Sequence, residues 1–314
     1  MANRNWILGG ALFLLLAAIG TNPAQAQQYV FRNIDMPGAG STYSFGSNNN
    51  SGAIATCYQI AGFNSDEIGY LLASGAFRAV KYPKAVSTCV FGVSNNGKIV
   101  GSYSDKSGKF HGFLLVGKTY TTIDYSGALD TYASEVNNSG VVAGSYTDSS
   151  GDHGFTWQSG VFTAIAFPGA ADTYPFGIND SGEIVGEYIL SGVHHGFVLS
   201  GSTYTTIDYP GAVFSGAFGI NNAGQIVGFY YGGDGINHGF IDNSGAFSTL
   251  DYPGSVASAL TGINDGGQVV GQWFGPTYSG TNGDVHGYLA TPLPGTHVAE
   301  RGSALGRKGL APPH

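Results

Sequence analysis

The sequence has little charge, because only 10% of its 314 residues are Asp, Glu, Lys or Arg, against about 25% in an average soluble protein. Between Lys118 and Arg301 there is no Lys or Arg at all. Nucleic-acid binding depends on clustered cations that neutralise phosphates. The composition therefore excludes a nucleic-acid partner and argues against phosphate esters as ligands of that half of the chain.

Cysteine is also scarce, since Cys57 and Cys89 are the only two. In an oxidising compartment such a pair can form a disulfide. Both lie in or beside the most divergent copy of the repeat described below, where a bridge would stabilise the weakest unit. We find no histidine placed to activate either thiol, so catalytic thiol chemistry is disfavoured.

Long apolar runs are missing except near the N-terminus. Arg4 precedes an apolar stretch from Trp6 to Ile19, and Ala24-Gln25-Ala26 has the A-x-A form of a cleavage site. This order predicts a secretory signal peptide over residues 1–26, in preference to a membrane anchor. We therefore expect an exported protein, periplasmic or extracellular, with no membrane span in the mature chain.

What the sequence has in abundance is glycine, with 52 residues, and an internal repeat. The repeat reads G-I-N-x-x-G, I-V-G-x-Y, H-G-F and T-x-I-D-Y-P-G, most clearly between Pro175 and Gly211. Each part is rich in β-forming residues and predicts a strand. The first part also predicts a tight turn with a left-handed glycine. The turn glycines are Gly52, Gly97, Gly140, Gly182, Gly224 and Gly267.

The two ends of the repeat region complement each other. The stretch from Tyr29 to Ser41 matches the fourth part alone, and the sixth copy lacks that part. A closed ring whose last unit is completed by the N-terminal strand needs this arrangement. We therefore predict an all-β, six-bladed β-propeller of four-stranded blades over residues 27–291. Residues 292–314 are predicted to form a disordered tail.

Five histidines share one position of the repeat, and counting across the hairpins places an Asp opposite most of them. We interpret these rows as structural, because polar groups that satisfy one another fix strand register. Separate acid–base or metal sites are the alternative. The first copy has Ile68 and Lys81 instead, and in the third Ala166 faces His153. The pairs are His111 with Asp124, His195 with Asp208, His238 with Asp251, and His286 with Asp35.

An aromatic residue usually precedes the Pro-Gly turn of the fourth part, although the N-terminal copy has Met36 there. On a propeller rim such rings could stack on sugars, and packing between blades is the structural alternative. These candidate binding residues are Tyr82, Tyr125, Phe167, Tyr209 and Tyr252.

Two insertions mark where a ligand site is expected, together with the central channel. Insertions from Ala61 to Glu67 and from Gly275 to Asp284 break the repeat on either side of the predicted closure, and insertions often lie on a binding face. Glu135 replaces the usual glycine before the Asn pair, and it is the one irregularity of a single blade that would favour an enzyme. We predict no catalytic residue, no metal site and no cofactor.

The motifs from Gly177 to Tyr188 and from Thr205 to Gly211, with the H-G-F triplets, resemble the bacterial extracellular HAF-type repeat family, whose members often carry a PEP-CTERM sorting tail. The likeness covers residues 29–291, although the usual triplet is H-A-F and an anchoring tail is not recognisable. The resemblance implies secretion but supplies no catalytic residues.

Together these features predict a secreted, monomeric binding or scaffold module with a glycan or an extracellular protein as partner. The alternatives are a hydrolase or lyase that acts on sugars or lactones at the channel mouth, and a passive matrix component. Unique polar residues on one blade, facing the channel, would favour the enzyme.

Overall fold

A computed structural model describes residues 27–37, 41–43, 46–59, 67–276 and 285–294. The predicted signal peptide, residues 295–314 of the predicted tail and most of both insertions lie outside these residues. By its contacts the chain divides into residues 31–291 and a second unit of residues 1–30 and 292–314. In the second unit, Leu293 N donates a 2.8 Å hydrogen bond to Gln28 O.

Every regular element in the described residues is a β-strand. No helix there has the length and hydropathy that a bilayer crossing requires. The strands form six blades, as the repeat predicts. The first strand of the chain is β1 (Tyr29–Asn33), and blade 1 follows with β2 (Ser41–Tyr43), β3 (Ile54–Gln59), β4 (Glu67–Ala73) and β5 (Ala76–Val80).

The next four blades each use four consecutive strands in antiparallel order, and one parallel bridge between Ile68 and Thr88 joins blades 1 and 2 into a single eight-stranded sheet. Blade 2 contains β6 (Ser87–Val93), β7 (Ile99–Ser104), β8 (Phe110–Val116) and β9 (Thr119–Ile123). Blade 3 contains β10 (Asp130–Val136), β11 (Val142–Asp148), β12 (Gly151–Gln158) and β13 (Val161–Ile165). Blade 4 contains β14 (Asp172–Ile178), β15 (Ile184–Leu190), β16 (Val193–Ser200) and β17 (Thr203–Ile207). Blade 5 contains β18 (Phe214–Ile220), β19 (Gln225–Tyr231), β20 (Asn237–Asn243) and β21 (Ala246–Thr249).

Blade 6 confirms the predicted closure. It contains β22 (Ala257–Ile263), β23 (Val269–Phe274) and β24 (Val285–Pro292), and its fourth strand is β1 in the order β1-β24-β23-β22. Just after β1, Ile34 N donates to Gly287 O at 2.9 Å. Blade 6 also binds blade 1, because Thr261 Oγ1 donates to Gly46 O at 3.1 Å. The propeller is therefore a closed ring whose last blade uses both ends of the repeat region.

The core consists of apolar layers between neighbouring blades, and this packing explains the H-G-F triplet. Its third residue is fully buried in each of blades 2 to 6. Its glycine permits close approach, since a Cβ on Gly196 would lie 2.4 Å from Ile207 O. The triplet thus supplies a histidine at the rim, a glycine that lets two strands approach closely, and an aromatic ring in the core. The core rings are Phe113, Phe155, Phe197, Phe240 and Tyr288.

The G-I-N-x-x-G turns have the predicted geometry. In blade 4, Gly182 N donates to Asn179 O at 3.1 Å, and Asn179 Oδ1 accepts from Glu183 N at 2.9 Å. The six turn glycines have φ between 71° and 84°, which L-residues with a Cβ adopt only at a cost.

Candidate ligand site in the axial channel

A β-bulge in the first strand of a blade places one extra residue at the propeller axis. The register shifts by one residue in the first strand of each of blades 2 to 6. A bulge bends its strand and re-aims a side chain. All five bulged residues line one cavity. They are Phe91, Ser134, Phe176, Phe218 and Thr261.

This axial cavity has a volume of about 250 Å³. Ser47, between β2 and β3 of blade 1, contributes to its wall, so residues of all six blades surround the cavity. Tyr132 of β10, Ser145 of β11 and Gln272 of β23 complete the wall. The Oε1 atom of Gln272 is buried and has no hydrogen-bond partner among the described residues. A buried acceptor without a partner is uncommon in native structures, and this one belongs to a residue that lines the cavity.

Glu135 lies where blades 2, 4, 5 and 6 have glycine, at the innermost point of the first strand. Its Oε1 accepts a 2.8 Å hydrogen bond from Val136 N, and the Ser47 hydroxyl also binds the carboxylate. The carboxylate occupies space left by a glycine of blade 2, since a Cβ on Gly92 would lie 2.5 Å from Glu135 Oε1. Glu135 is thus the only residue with a carboxyl group among those that line the axial cavity.

The environment of the Glu135 carboxyl shifts its ionisation strongly. The side chain lines the cavity and is only partly exposed. This burial raises the pKa of Glu135 from 4.5 to about 7, and the hydrogen bonds from Ser47 and Val136 N offset only part of the effect. At neutral pH the group is therefore divided between its acid and its carboxylate form, as suits a proton donor, a proton acceptor or a counter-ion.

A ring of amide side chains lies next to the cavity, because Ser47 and Glu135 line both spaces. The residue after the Asn of the G-I-N-x-x-G turn bonds to its counterpart on the next blade, except between blades 2 and 3, where Asn96 N donates to Asn138 Oδ1 at 3.0 Å. For example, Asn138 N donates to Asp180 Oδ1 at 2.9 Å, and Asn222 N donates to Asp265 Oδ1 at 2.8 Å. The ring closes where Asp265 N donates to Asn50 Oδ1 at 2.9 Å. These bonds tie the blades together at this end of the channel and leave two carboxylates, Asp180 and Asp265, within the ring.

The structure brings the predicted His–Asp pairs together. His195 Nδ1 lies 2.8 Å from Asp208 Oδ2, and His286 Nδ1 lies 2.8 Å from Asp35 Oδ2. The equivalent distances are 2.9 Å for His111 with Asp124 Oδ2 and 2.7 Å for His238 with Asp251 Oδ2. His153 instead binds Asp148 Oδ1 at 3.2 Å.

Two of these histidines hold a second carboxylate that the sequence did not indicate. His238 Nε2 lies 2.9 Å from Asp234 Oδ2, and His111 Nε2 lies 3.3 Å from Asp105 Oδ2. Burial alone would lower the pKa of His238, but its hydrogen bonds to Asp251 and Asp234 outweigh that effect and raise it. Each of the two imidazoles joins two loops of its blade.

The predicted rim aromatics stack on the following blade. Tyr82 lies parallel to Tyr103 with ring centres 3.7 Å apart, and Tyr103 in turn stacks on His111. One face of each candidate ring is thus covered by protein, which supports blade packing as one role. The pairs are Tyr82–Tyr103, Tyr125–Tyr146, Phe167–Tyr188, Tyr209–Tyr230 and Tyr252–Trp273.

Cys57 and Cys89 form a disulfide with a Cα–Cα distance of 5.2 Å. It joins β3 of blade 1 to β6 of blade 2. The bridge therefore fixes the divergent first copy to its neighbour.

The bulged residues and Gln272 are the parts of the channel that sequence reasoning missed. A bulge adds one residue without changing the repeat length, so the period reveals nothing of it. The sequence feature that could have indicated the bulge is the variation at one repeat position, where Phe, Ser or Thr stands just before the G-I-N motif.

No protein-family description matches the chain, and no curated protein matches it. Solved structures do. Putative TolB from Agrobacterium tumefaciens is 17% identical, with a TM-score of 0.55 over 81% of this chain and 90% of that one. SapL1 lectin in complex with alpha methyl fucoside is 13% identical, with a TM-score of 0.50 over 84% and 98%. A catalytically inactive virginiamycin B lyase from Staphylococcus aureus, with quinupristin, is 10% identical, with a TM-score of 0.50 over 85% and 100%. At these identities the likeness shows the β-propeller fold alone.

Proposed function

We propose that this chain is an exported β-propeller binding module that holds a small ligand in its axial cavity. The observation that carries the proposal is the axial cavity of about 250 Å³, whose lining combines three phenylalanine rings with Glu135, Gln272 and several hydroxyl groups. Small-molecule sites have this composition, although most are somewhat larger. The ligand is therefore small.

The pattern across the blades supports a ligand site over a merely structural channel. Blades 2, 4 and 5 fill the bulge position with Phe91, Phe176 and Phe218, whereas blade 3 has Ser134. The same blade carries Glu135 where four others have glycine. Blade 3 thus lacks the ring and has a carboxyl group at the next residue, which leaves space beside the only carboxyl group in the cavity lining.

Export and partner remain proposals. The Cys57–Cys89 disulfide supports an oxidising compartment, as the predicted signal peptide requires. Binding of a glycan or an extracellular protein at the rim stays a prediction for Tyr82, Tyr125 and their equivalents. A lectin among the similar folds is consistent with it. Membership of the HAF-type repeat family also stays a prediction.

A second candidate function is catalysis at the same place, as a hydrolase or lyase on sugars or lactones. Glu135 favours it, because it is a unique channel-facing acid whose pKa of about 7 suits general acid–base chemistry. An enzyme would lose turnover in Glu135→Gln while retaining substrate binding. A binding module would turn over none of these substrates.

The decisive variant for the binding proposal is Ser134→Phe, which gives blade 3 the ring that blades 2, 4 and 5 carry. Ser202→Phe adds the same side chain at an exposed hairpin and is the matched control. In a ligand-observed NMR screen of small aromatic and aliphatic fragments, we expect hits that Ser134→Phe abolishes and Ser202→Phe retains. Hits that Ser134→Phe leaves unchanged would place the site elsewhere and overturn the proposal.

A further inference from the structure

The charge around the axial cavity has one sign. Glu135 and Tyr132 are the ionisable residues among those that line it, and the lining contains no cationic side chain. The adjacent ring adds Asp180 and Asp265. In a low-dielectric space an anion would meet uncompensated negative charge. The cavity therefore discriminates against anionic ligands.

The walls suit a cation in particular. Phe91, Phe176, Phe218 and Tyr132 all face the cavity, and the face of an aromatic ring attracts a positive charge within about 6 Å. Phe176 and Phe218 lie edge to face with ring centres 4.8 Å apart, so the two rings present differently oriented surfaces. Aromatic rings beside a carboxylate form a favourable environment for an ammonium group.

The polar groups of the cavity also call for hydrogen-bond donors. Gln272 Oε1 is a buried acceptor with no partner among the described residues, and the ionised carboxylate of Glu135 accepts only. A protonated primary amine carries three N–H donors and no acceptor. An amine thus offers one donor for the carboxylate and two more for neighbouring acceptors, whereas a hydroxyl offers only one.

Size limits the rest of the ligand. An apolar cavity of about 150 Å³ is known to hold benzene, and this cavity measures about 250 Å³. The space suits one aromatic ring, or an aliphatic body of equal bulk, with a short alkylammonium arm.

We propose that the axial cavity binds a small organic amine in its protonated form, with Glu135 as the counter-ion and the channel rings around its apolar body. This inference rests on the proposed function, namely that the cavity holds a ligand. It adds the charge and the chemical class of that ligand.

A direct consequence is linked protonation. Burial holds the pKa of Glu135 at about 7 in the free protein, and a bound ammonium would lower it. Binding near neutrality therefore releases protons from Glu135, and affinity falls as the pH drops below 7. Tyr132 in the cavity wall stays neutral over this range, because its pKa is raised to about 12. Burial is the largest cause, and the carboxylates of Asp130, Asp152 and Glu67 add to it.

The experiment compares 2-phenylethylamine with 2-phenylethanol, which has the same size, and with the slightly larger anion 3-phenylpropanoate. Isothermal titration at pH 8 and pH 5.5, in buffers of different ionisation enthalpy, measures affinity and proton release. The variants are Glu135→Gln, Ser134→Phe and the control Glu183→Gln, which removes a carboxylate outside the cavity. Should Glu135→Gln fold poorly, Glu135→Gly restores the residue of four other blades.

We expect the amine to bind at pH 8 at least about tenfold more tightly than the alcohol, and the propanoate to bind least. Glu135→Gln should abolish the amine's advantage and its proton release, whereas Glu183→Gln changes neither. If the alcohol binds as tightly as the amine and Ser134→Phe still blocks both, the cavity is a ligand site but the ligand class is wrong. If no probe binds in a manner sensitive to Ser134→Phe, this inference is overturned, and the fragment screen then decides whether the proposed function fails with it.

Discussion

Asp35 and His286 are 251 residues apart in the chain, yet Asp35 Oδ2 and His286 Nδ1 lie 2.8 Å apart. Asp35 Oδ1 also accepts from Gly287 N at 2.9 Å. One side chain thus makes two bonds across the seam at which the first strand completes the last blade. The same two bonds occur in blade 5, where Asp251 binds His238 and Gly239 N, but there the strands are joined by a hairpin.

Replacing Asp35 with Ala should therefore open the seam. We expect a loss of about 1–3 kcal/mol in unfolding free energy, because a buried donor and a charge-assisted bond lose their partner. Amide hydrogen exchange should rise along β1 and β24. Asp251→Ala is the matched control and should raise exchange within blade 5 without fraying the terminal strand. Equal exchange in β1 for both variants would contradict a seam role for Asp35.

The Cys57–Cys89 disulfide should contribute to stability, mainly by restricting the unfolded chain. The bridge spans 32 residues, a length for which about 2–4 kcal/mol is typical. Thermal unfolding of the Cys57→Ser/Cys89→Ser variant, compared with the oxidised protein, measures this contribution. Unchanged thermal stability would show that blade packing alone holds the first copy in place.

His238 should stabilise the protein more in acid than in base. Its folded pKa is raised above the ordinary value of 6.5. Its contribution is therefore fully present below pH 6.5 and is lost as the pH rises through the folded pKa. His238→Gln should cost roughly 1 kcal/mol at pH 6, a value reduced by partial solvent access, and less at pH 9. Urea unfolding at both pH values tests this, and an equal loss at both would exclude the imidazolium as the source.

Glu135 should lower stability as the pH rises, the opposite of a salt-bridged carboxylate. Because the pKa of Glu135 is raised in the folded protein, its protonated carboxyl stabilises the fold. This contribution is fully present below pH 4.5 and is lost as the pH rises to about 7. At about 1.4 kcal/mol per pKa unit, the burial penalty reaches on the order of 3 kcal/mol at pH 8. The Glu135→Gln variant has no carboxyl group to ionise and so avoids this penalty. Its unfolding free energy relative to the parent protein should therefore rise between pH 4.5 and 8. A constant difference across that range would show that the carboxyl is solvated.

The sequence was sufficient to predict the propeller and its closure, because both follow from counting copies. Six recurrences fix the number of blades, and the unmatched segment around Tyr29 fits the vacancy in the last copy. The His195–Asp208 pairing was predictable as well, since a two-residue hairpin determines which residues face each other. These are relationships within one copy or between the two ends of the array.

Relationships between neighbouring copies could not be read in the same way. The stack of Tyr82 on Tyr103 and the bond from Asn138 to Asp180 depend on how one blade sits against the next, which spacing within a copy does not encode. The inward turn of Phe176 and Ser134 depends on a bulge that the alternating pattern of a strand does not reveal. Glu135 was visible as an exception to the repeat, but its position at the axis required the structure.

The most direct test of the account is an NMR titration of the glutamate side-chain carboxyl carbons. The chain has only five glutamates, so the Glu135 resonance can be assigned by its absence in Glu135→Gln. The account predicts a midpoint near pH 7 in the free protein, moving to lower pH when 2-phenylethylamine is added. A midpoint near 4.5 that the amine leaves unchanged would contradict both the enclosed carboxyl and the ligand site built around it.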